Sequence, residues 1–152
     1  MSLSIAPIAA VDAETLAALF ERIRLDPASI HFHPHPFTYD EAKKRTDYRG
    51  SDFYALLLWC KDAIGYGFLR GWDEGYEIPS LGIYVVDAHR GHGAAKALME
   101  YLHHAAKLRG ASCVRIRVYP DNARALRFYR KLGYHFLSKM ENGQLVGLCE
   151  AI

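Results

Sequence analysis

The sequence predicts an α/β fold, in which helices cover a central β-sheet. Residues 81–86 form a continuous apolar run, as expected for a strand that is covered on both faces. From Ala95 onward, apolar residues recur at positions 95, 98, 99, 102, 105 and 106, which is the spacing of one helix face. A length of 152 residues is enough for one compact core. We therefore expect a single domain over residues 1–152.

Strand and helix patterns alternate in the amino-terminal part of the chain. A short apolar run at residues 3–9 predicts a strand. Asp12 begins a helix whose apolar residues recur at helical spacing, at Leu16, Leu19, Phe20 and Ile23. Prolines 34 and 36 make residues 31–37 a loop, and Thr38 or Asp40 can cap a second short helix after it.

A β-hairpin is predicted next. Residues 52–60 and 63–70 are two aromatic and aliphatic runs, and the dipeptide Lys61-Asp62 separates them. Gly65 and Gly67 in the second run indicate a bulge. A polar stretch then leads to the apolar run at residues 81–86, which we expect to be the central strand of the sheet.

The carboxy-terminal part continues the pattern. The helix that starts at Ala95 ends at Gly110, and residues 113–118 predict a further strand. Residues 120–122, Pro-Asp-Asn, begin another helix, which ends at Gly133. Two short strands close the chain, at residues 134–138 and 145–149.

Composition narrows the class of protein. The three cysteines, Cys60, Cys113 and Cys149, lack the spacing of a metal or redox site, and we expect them to be reduced residues of the core. No basic flank with a long apolar run opens the chain, and no window reaches about 18 apolar residues. These features predict a cytoplasmic protein without membrane association.

Positive charge is concentrated in one segment. Residues 87–131 hold ten Lys/Arg against three Asp/Glu, a balance of +7 within a chain of net charge +2. Such a segment suits either a nucleic acid or a small polyphosphate. Its arginines alternate on a strand or surround a short helix, which is more typical of solvated surface than of nucleic-acid binding.

A glycine-rich turn favours the polyphosphate. Residues 90–95 read Arg-Gly-His-Gly-Ala-Ala and join the apolar strand to the helix that follows. Small residues let the backbone approach a ligand, and Arg90, the free N–H groups and the helix dipole would converge on one anion, such as a pyrophosphate. The turn is neither a P-loop nor a G-x-G-x-x-G sequence. Taken alone, the glycines are equally compatible with an ordinary turn.

Two spaced motifs identify a family. Arg90, Gly93 and Ala95 match Arg/Gln-x-x-Gly-x-Gly/Ala, and residues 122–134 match Asn-x-x-Ala-x-x-x-Tyr-x-x-x-Gly-Phe with Tyr in the last place. In this combination, residues 78–136 resemble the GNAT superfamily of acyl-CoA-dependent N-acyltransferases. The resemblance implies an α+β variant of the α/β class: a mostly antiparallel, mixed, twisted sheet of six to seven strands. Helices cover both of its faces, and the sheet is splayed beside residues 81–86.

The resemblance also implies site residues. Coenzyme A would bind on the turn, through Arg90, Gly91, His92, Gly93, Ala94 and Ala95. Backbone groups of Val85 and Val86 would bind pantetheine and the thioester carbonyl in the splayed gap. Asn122 would address the pantetheine arm, and Tyr129, seven residues later on the same helix face, would protonate the leaving thiolate. Packing is the alternative role for Tyr129.

The general base is less well defined. Many relatives carry Glu at the position of Ser80. We expect Glu77 to be the base because it lies just before the central strand, although a solvated loop carboxylate is an equal alternative. Other candidates are Glu74, Asp73, Tyr84 and a histidine among residues 31–35. The acidic residues can also attract a cationic amine.

His31, His33 and His35 are spaced two residues apart. Imidazoles are common metal ligands, but no Cys or carboxylate has suitable local spacing. We expect no metal, and instead expect this loop to line the acceptor site, as the corresponding region often does in the family.

The resemblance implies transfer of an acetyl group from acetyl-CoA to a primary amine of a small molecule, without a covalent acyl-enzyme. The alternatives are a non-catalytic acyl-CoA-binding sensor and a protein that binds nucleic acid through the +7 segment. Family habit alone favours a homodimer.

Overall fold

The computed structural model describes residues 2–150. In this part of the chain, seven strands form one sheet: β1 (Leu3–Pro7), β2 (Phe53–Trp59), β3 (Asp62–Arg70), β4 (Ser80–Val85), β5 (Cys113–Val118), β6 (His135–Glu141) and β7 (Gln144–Glu150). The α-helices are α1 (Ala13–Leu25), α2 (Tyr39–Thr46), α3 (Ala94–Leu108) and α4 (Ala123–Lys131). Short 3₁₀ turns lie at Ile8–Ala10, Pro27–His31, Trp72–Glu74 and Asp87–His89.

The sheet opens between its two middle strands. Its order is β1-β2-β3-β4-β5-β7-β6, and neighbouring strands are antiparallel except for β4 and β5. These two parallel strands pair at one position, Ser80 opposite Arg115, where Arg115 N–H donates to the Pro79 carbonyl at 2.9 Å. No further pairing joins them within residues 2–150, so they separate toward their carboxyl ends. The predicted mixed sheet and its splay are confirmed.

Helices cover both faces of the sheet, as predicted. Tyr66 and Gly67 are neighbours on β3, so their side-chain positions point to opposite faces. Tyr66 packs against Phe20 of α1, with ring centroids 5.5 Å apart. A Cβ added at Gly67 would instead lie 2.8 Å from Leu102 of α3. The two helices therefore lie on opposite sides of the sheet.

The inward faces of α1 and α3 are the ones that the sequence periodicity predicts. Asp12 caps α1 by accepting from Thr15 N–H at 2.7 Å. The side chains of these helices that have at most 1% exposure are Leu16, Leu19, Phe20, Ile23, Leu98, Met99, Leu102 and Ala106. Burial of each large apolar side chain contributes about 1.5–3 kcal/mol. No helix in residues 2–150 is long and apolar enough to cross a membrane.

The hairpin differs from its prediction at the turn. The chain reverses at Cys60-Lys61 rather than Lys61-Asp62, and Cys60 has a φ of 57°. Cys60 is exposed, Cys113 half-buried and Cys149 buried, so the expectation of three core cysteines is wrong for Cys60. The predicted bulge lies next to Gly65, because Ile64 has no partner where the register shifts between Leu57 and Leu58.

Candidate functional site

The turn before α3 presents a row of unbonded amide groups. The first helical bond runs from Ala97 N–H to the Gly93 carbonyl at 3.0 Å, and Gly93, the N-cap, has no side chain that could cap the helix. Within the described chain, the N–H groups of residues 91–96 have no protein acceptor. Uncapped N–H groups at a helix start, together with the helix dipole, form an anion-binding site. The predicted cofactor turn therefore has donors that fit a pyrophosphate.

Two glycines give this turn its shape. Gly91 has a φ of 80° and Gly93 a φ of 82°, in the left-handed region that side-chain-bearing residues avoid. A Cβ built at either position meets nothing within 4 Å, so the surrounding protein does not exclude a side chain there. The same open space leaves the backbone of the turn accessible to a ligand. His92 lies exposed between the two glycines.

The guanidinium of Arg90 is fixed by contacts with other parts of the protein. Its Nε donates to the Val85 carbonyl at 2.7 Å, and its Nη2 lies 3.0 Å from Asp26 Oδ2. Its Nη1 donates to Asp87 at 3.2 Å, and the guanidinium lies over the Tyr84 ring. The structure thus connects Arg90 to the central strand and to α1, and does not leave its guanidinium free above the turn. Direct contact of Arg90 with a phosphate stays a prediction.

The splayed gap exposes the backbone of alternate residues of β4. Val86 N–H donates to the Ile64 carbonyl of β3 at 2.8 Å, and the Val86 carbonyl accepts from His89 N–H at 3.0 Å. Because backbone groups alternate in direction along a strand, those of Ile83 and Val85 point toward β5 and into the gap. Of the two valines predicted to bind the cofactor, Val85 has the suitable orientation, but its carbonyl already accepts from Arg90 Nε, so its N–H is the group that remains for a ligand. Both polar backbone groups of Val86 already have partners in the protein.

Helix α4 carries the second predicted motif. Asn122 is its N-cap, and the side-chain oxygen accepts from Ala125 N–H at 3.3 Å. Tyr129 packs edge-on against Phe128 and Tyr134, and burial raises the pKa of its phenol. Within residues 2–150 its hydroxyl has no hydrogen-bond partner, and no fully buried side-chain polar atom there lacks one. The Tyr129 hydroxyl is therefore not completely enclosed by the described protein.

The candidate bases lie in different surroundings. Glu77 is exposed in the segment before β4 and forms no ion pair with a described residue. Asp73 instead organises a turn, because it accepts from the Tyr48 hydroxyl and, at 2.6 Å, from Ser51 N–H. Ser80 is half-buried and lies 3.5 Å from an Arg115 nitrogen. The role of Glu77 as base stays a prediction.

The loop after α1 crosses the mouth of the gap. Phe32 stacks on Tyr84 of β4, with ring centroids 5.7 Å apart. His33 Nε2 lies 3.1 Å from the hydroxyl of Tyr119, which follows β5, and the His31 ring lies 5.5 Å from the Tyr119 ring. The loop thus contacts both strands that border the gap. This position is compatible with the expected role in acceptor binding.

The three loop histidines do not converge. His35 points away from His31 and His33, into the core, where its Nε2 lies 2.9 Å from the Tyr66 hydroxyl. Burial lowers the pKa of His35 below its ordinary value. Among the described residues, no group of three or more His, Cys, Asp or Glu side chains is placed to hold a metal ion.

Two residues of this region are not singled out by the sequence. Asp26 lies at the end of α1, and its Oδ2 accepts from the Tyr84 hydroxyl at 2.5 Å as well as from Arg90. Tyr119 is recognisable only once the loop is seen to reach it. An Asp-Pro pair at a helix end predicts the turn that Asp26 caps, but it carries no signal for partners 58 and 64 residues away.

Comparison with known proteins agrees with this geometry. The fold matches the GNAT domain of S. lividans PAT with a TM-score of 0.82 and 20% identity, over 96% of this chain and 89% of that one. It matches the PaiA N-acetyltransferase of Thermoplasma acidophilum, solved in complex with coenzyme A, with a TM-score of 0.77 and 17% identity over 99% of both chains.

A further match is YncA of Salmonella typhimurium, solved with its cofactor acetyl-CoA, with a TM-score of 0.76 and 16% identity, over 100% of this chain and 95% of that one. A sequence search of curated proteins gives no significant match. The model of the acetyltransferase (GNAT) family matches residues 16–134, which include both motifs and the splayed strands. The chain belongs to the GNAT family of acetyltransferases.

Proposed function

We propose that this protein transfers the acetyl group of acetyl-CoA to the primary amine of a small molecule by direct attack. The observation that carries the proposal is the uncapped start of α3, where the N–H groups of residues 91–96 have no protein acceptor. Such a row of donors suits the pyrophosphate of coenzyme A. Two proteins of similar fold were solved with coenzyme A and with acetyl-CoA.

The residues around the gap supply the remaining roles. The N–H of Val85 and the backbone groups of Ile83 hold the pantetheine arm and polarise the thioester carbonyl. The amine nitrogen attacks the carbonyl carbon, and the carbon–sulfur bond breaks. Tyr129, whose phenol is protonated near neutral pH, gives its proton to the leaving sulfur. Glu77 takes the proton of the amine through water.

The proposal also covers the setting of the reaction. It requires neither a metal nor a nucleic acid, and the acceptor is a small molecule. The exposed thiol of Cys60 is compatible with the reducing cytoplasm. A homodimer is compatible with the proposal, but no step of the chemistry depends on it.

Calorimetric titration with acetyl-CoA tests the cofactor site first, and thiol release with a panel of amines then tests turnover. We expect micromolar binding and thiol release that depends on an amine. Binding without thiol release for any amine would instead identify an acyl-CoA sensor. If the folded protein bound no acetyl-CoA but lost DNA affinity steeply with added salt, the nucleic-acid hypothesis would replace this one.

A further inference from the structure

Three arginines lie on the face of the sheet that the loop covers. We call Arg70, Arg115 and Arg117 the arginine wall. Arg115 pairs with Ser80 across the two strands, so both side chains leave the same face of the sheet. Alternation along β5 places Arg117 on that face, and the register of β3 with β4 places Arg70 opposite Ser80.

The arginine wall lies on the face of the sheet opposite α3. Tyr84 lies four residues after Ser80 on β4, so its side chain leaves the same face of the sheet. Its partner on β3 is Tyr66, which contacts Phe20 of α1. Helix α3, which begins at the cofactor turn, packs against the other face, at Gly67. A thioester inserted from the side of α3 would therefore meet an acceptor that enters from the side of the arginine wall.

The arginine wall carries more positive charge than its carboxylates neutralise. Arg115 forms an ion pair with Glu141. The guanidinium of Arg70 donates to the Pro34 carbonyl at 3.0 Å and lies over the Phe68 ring, with no carboxylate partner in the described part of the chain. Arg117 is exposed and has no hydrogen-bond or ion-pair partner among residues 2–150. Burial and the nearby charge of Arg117 lower the pKa of Arg115, so two cations of the wall influence each other.

The carboxylate beside Tyr84 is largely occupied by donors of the protein itself. Asp26 uses Oδ2 to accept from Tyr84 and Arg90, and Oδ1 to accept from Ala28 N–H at 2.9 Å. A polyamine or a lysine side chain would thus approach uncompensated arginines without Asp26 as a free carboxylate partner. An amine that also carries an anionic group would gain a charge-assisted bond instead.

We infer that the acceptor is a primary amine that bears a carboxylate or phosphate group, which Arg117 binds beside the gap, while Arg70 adds positive charge on the same face of the sheet. The inference rests on the proposed acetyltransferase function and narrows its substrate. Arg117 lies two residues, about 7 Å along the strand, beyond the Ser80–Arg115 pair that closes the gap. A short acceptor can therefore reach Arg117 with its anionic group while its amine points between the strands.

The test compares acceptors that differ only in the anionic group. Amino acids are assayed against their amides, and phosphoethanolamine against ethanolamine, with thiol release as readout for the wild type and Arg117→Gln. We expect the wild type to prefer the charged member of at least one pair by about 10–100-fold in kcat/KM, the value of a hydrogen bond to a charged group. The amine of an amino-acid amide is less basic than that of the parent acid, so more of it is unprotonated and reactive near neutral pH. This difference favours the uncharged acceptor and therefore opposes the expected preference.

Arg117→Gln should reduce the preference to a few-fold, mainly through KM, and leave acetyl-CoA affinity unchanged. Arg117→Lys should keep part of the preference for charged acceptors. Arg124→Gln, which replaces an exposed arginine of α4, should keep all of this preference. A preference within the amino acid and amide pair would indicate a carboxylate, and a preference within the phosphoethanolamine and ethanolamine pair would indicate a phosphate. Equal rates for charged and uncharged acceptors, or a preference unchanged in Arg117→Gln, would overturn the inference while leaving acetyl transfer established. Absence of acetyl-CoA binding would overturn both.

Discussion

Tyr84 of the central strand donates a hydrogen bond of 2.5 Å to Oδ2 of Asp26, the residue that ends α1. The same oxygen accepts from Arg90 at 3.0 Å. One carboxylate therefore joins the end of a helix, the strand beside the gap and the cofactor turn. Because the loop over the gap begins at Asp26, this contact couples the position of that loop to the position of the turn.

Replacement of Asp26 by Asn should destabilise the protein by about 1–3 kcal/mol, since the Tyr84 hydroxyl and the Arg90 guanidinium both lose a charged acceptor. Urea denaturation at pH 7 measures the effect. Asp87→Asn is the matched control, because Asp87 also pairs with Arg90 but its side chain is 83% exposed. A loss as large in the control as in Asp26→Asn would show that the Tyr84 contact adds nothing.

The effect of Asp26 should depend on pH in a defined direction. The hydrogen bond from Tyr84, followed by other local contacts, holds the pKa of Asp26 below its ordinary value. A lowered carboxylate pKa stabilises the fold above the unfolded pKa of about 4, and this contribution disappears as pH falls through the lower folded value. The difference in unfolding free energy between wild type and Asp26→Asn should therefore be constant from pH 5 to 7 and shrink below pH 4. A difference that does not change between pH 5 and 3 would contradict the prediction.

His35 should make stability decrease toward mildly acidic pH. It is held between the Pro36 carbonyl, 2.8 Å from Nδ1, and the Tyr66 hydroxyl, and burial lowers the pKa of its ring. The unfolded chain then binds the proton more readily, so stability is full above the unfolded pKa of about 6.5 and falls below it. His35→Gln should flatten this dependence between pH 7 and 5. The exposed His135→Gln should retain the wild-type slope, and an unchanged slope in His35→Gln would exclude His35 as the cause.

Local patterns predict the elements of this fold well. Asp12, Thr38 and Asn122 each cap the helix expected of them, because a cap depends on residues within one turn. The same locality explains the glycines of the cofactor turn, whose positive φ angles are a property of the backbone at those positions. The sequence could therefore predict the shape of the turn that we propose as the cofactor site.

Contacts between distant segments could not be predicted in the same way. His33 meets Tyr119 across 86 residues, and the guanidinium of Arg90 turns to Asp26 across 64. Periodicity and motif spacing carry no information on these pairings, which depend on how the loop after α1 packs over the sheet. The proposed acceptor side consists of such contacts, and for this reason the sequence leaves the acceptor open. Cys60 shows the same limit at short range: an apolar neighbourhood does not prevent an exposed position at a tight turn.

Gly93→Ala should weaken acetyl-CoA binding by about tenfold or more, because an added methyl group limits approach of a pyrophosphate to the turn. It should also destabilise the fold by about 1–2 kcal/mol through strain at a φ of 82°. Gly110→Ala is a close control, since Gly110 has a φ of 83°, equally open surroundings and a position at the far end of α3. Calorimetry with both variants separates strain from blocked binding. Equal affinities for the two variants would contradict the cofactor role of Gly93.

Glu77→Gln should lower kcat by about 10²-fold if the carboxylate takes the proton of the amine. The acidic limb of the pH–rate profile should disappear as well, while acetyl-CoA affinity stays unchanged. Glu74→Gln is the matched control, because Glu74 is an exposed carboxylate of the same segment. If both variants raise only KM, and do so most for cationic acceptors, the two residues attract substrate and the base lies elsewhere.

Tyr129→Phe should separate binding from chemistry. The substitution keeps the ring that packs against Phe128 and Tyr134, and removes only a hydroxyl that has no partner in residues 2–150. Stability and acetyl-CoA affinity should therefore stay close to those of the wild type. The loss of the proton donor should lower kcat by about 10²–10⁴-fold. Tyr101→Phe should leave kcat unchanged, because Tyr101 is a half-buried tyrosine of a different helix, α3. An acetyl ester used as donor, with a better leaving group than the coenzyme A thiolate, gives a second readout, since its aminolysis needs less help from an acid. The defect of Tyr129→Phe should be smaller with such a donor, and a defect of equal size with both donors would assign Tyr129 to packing or positioning.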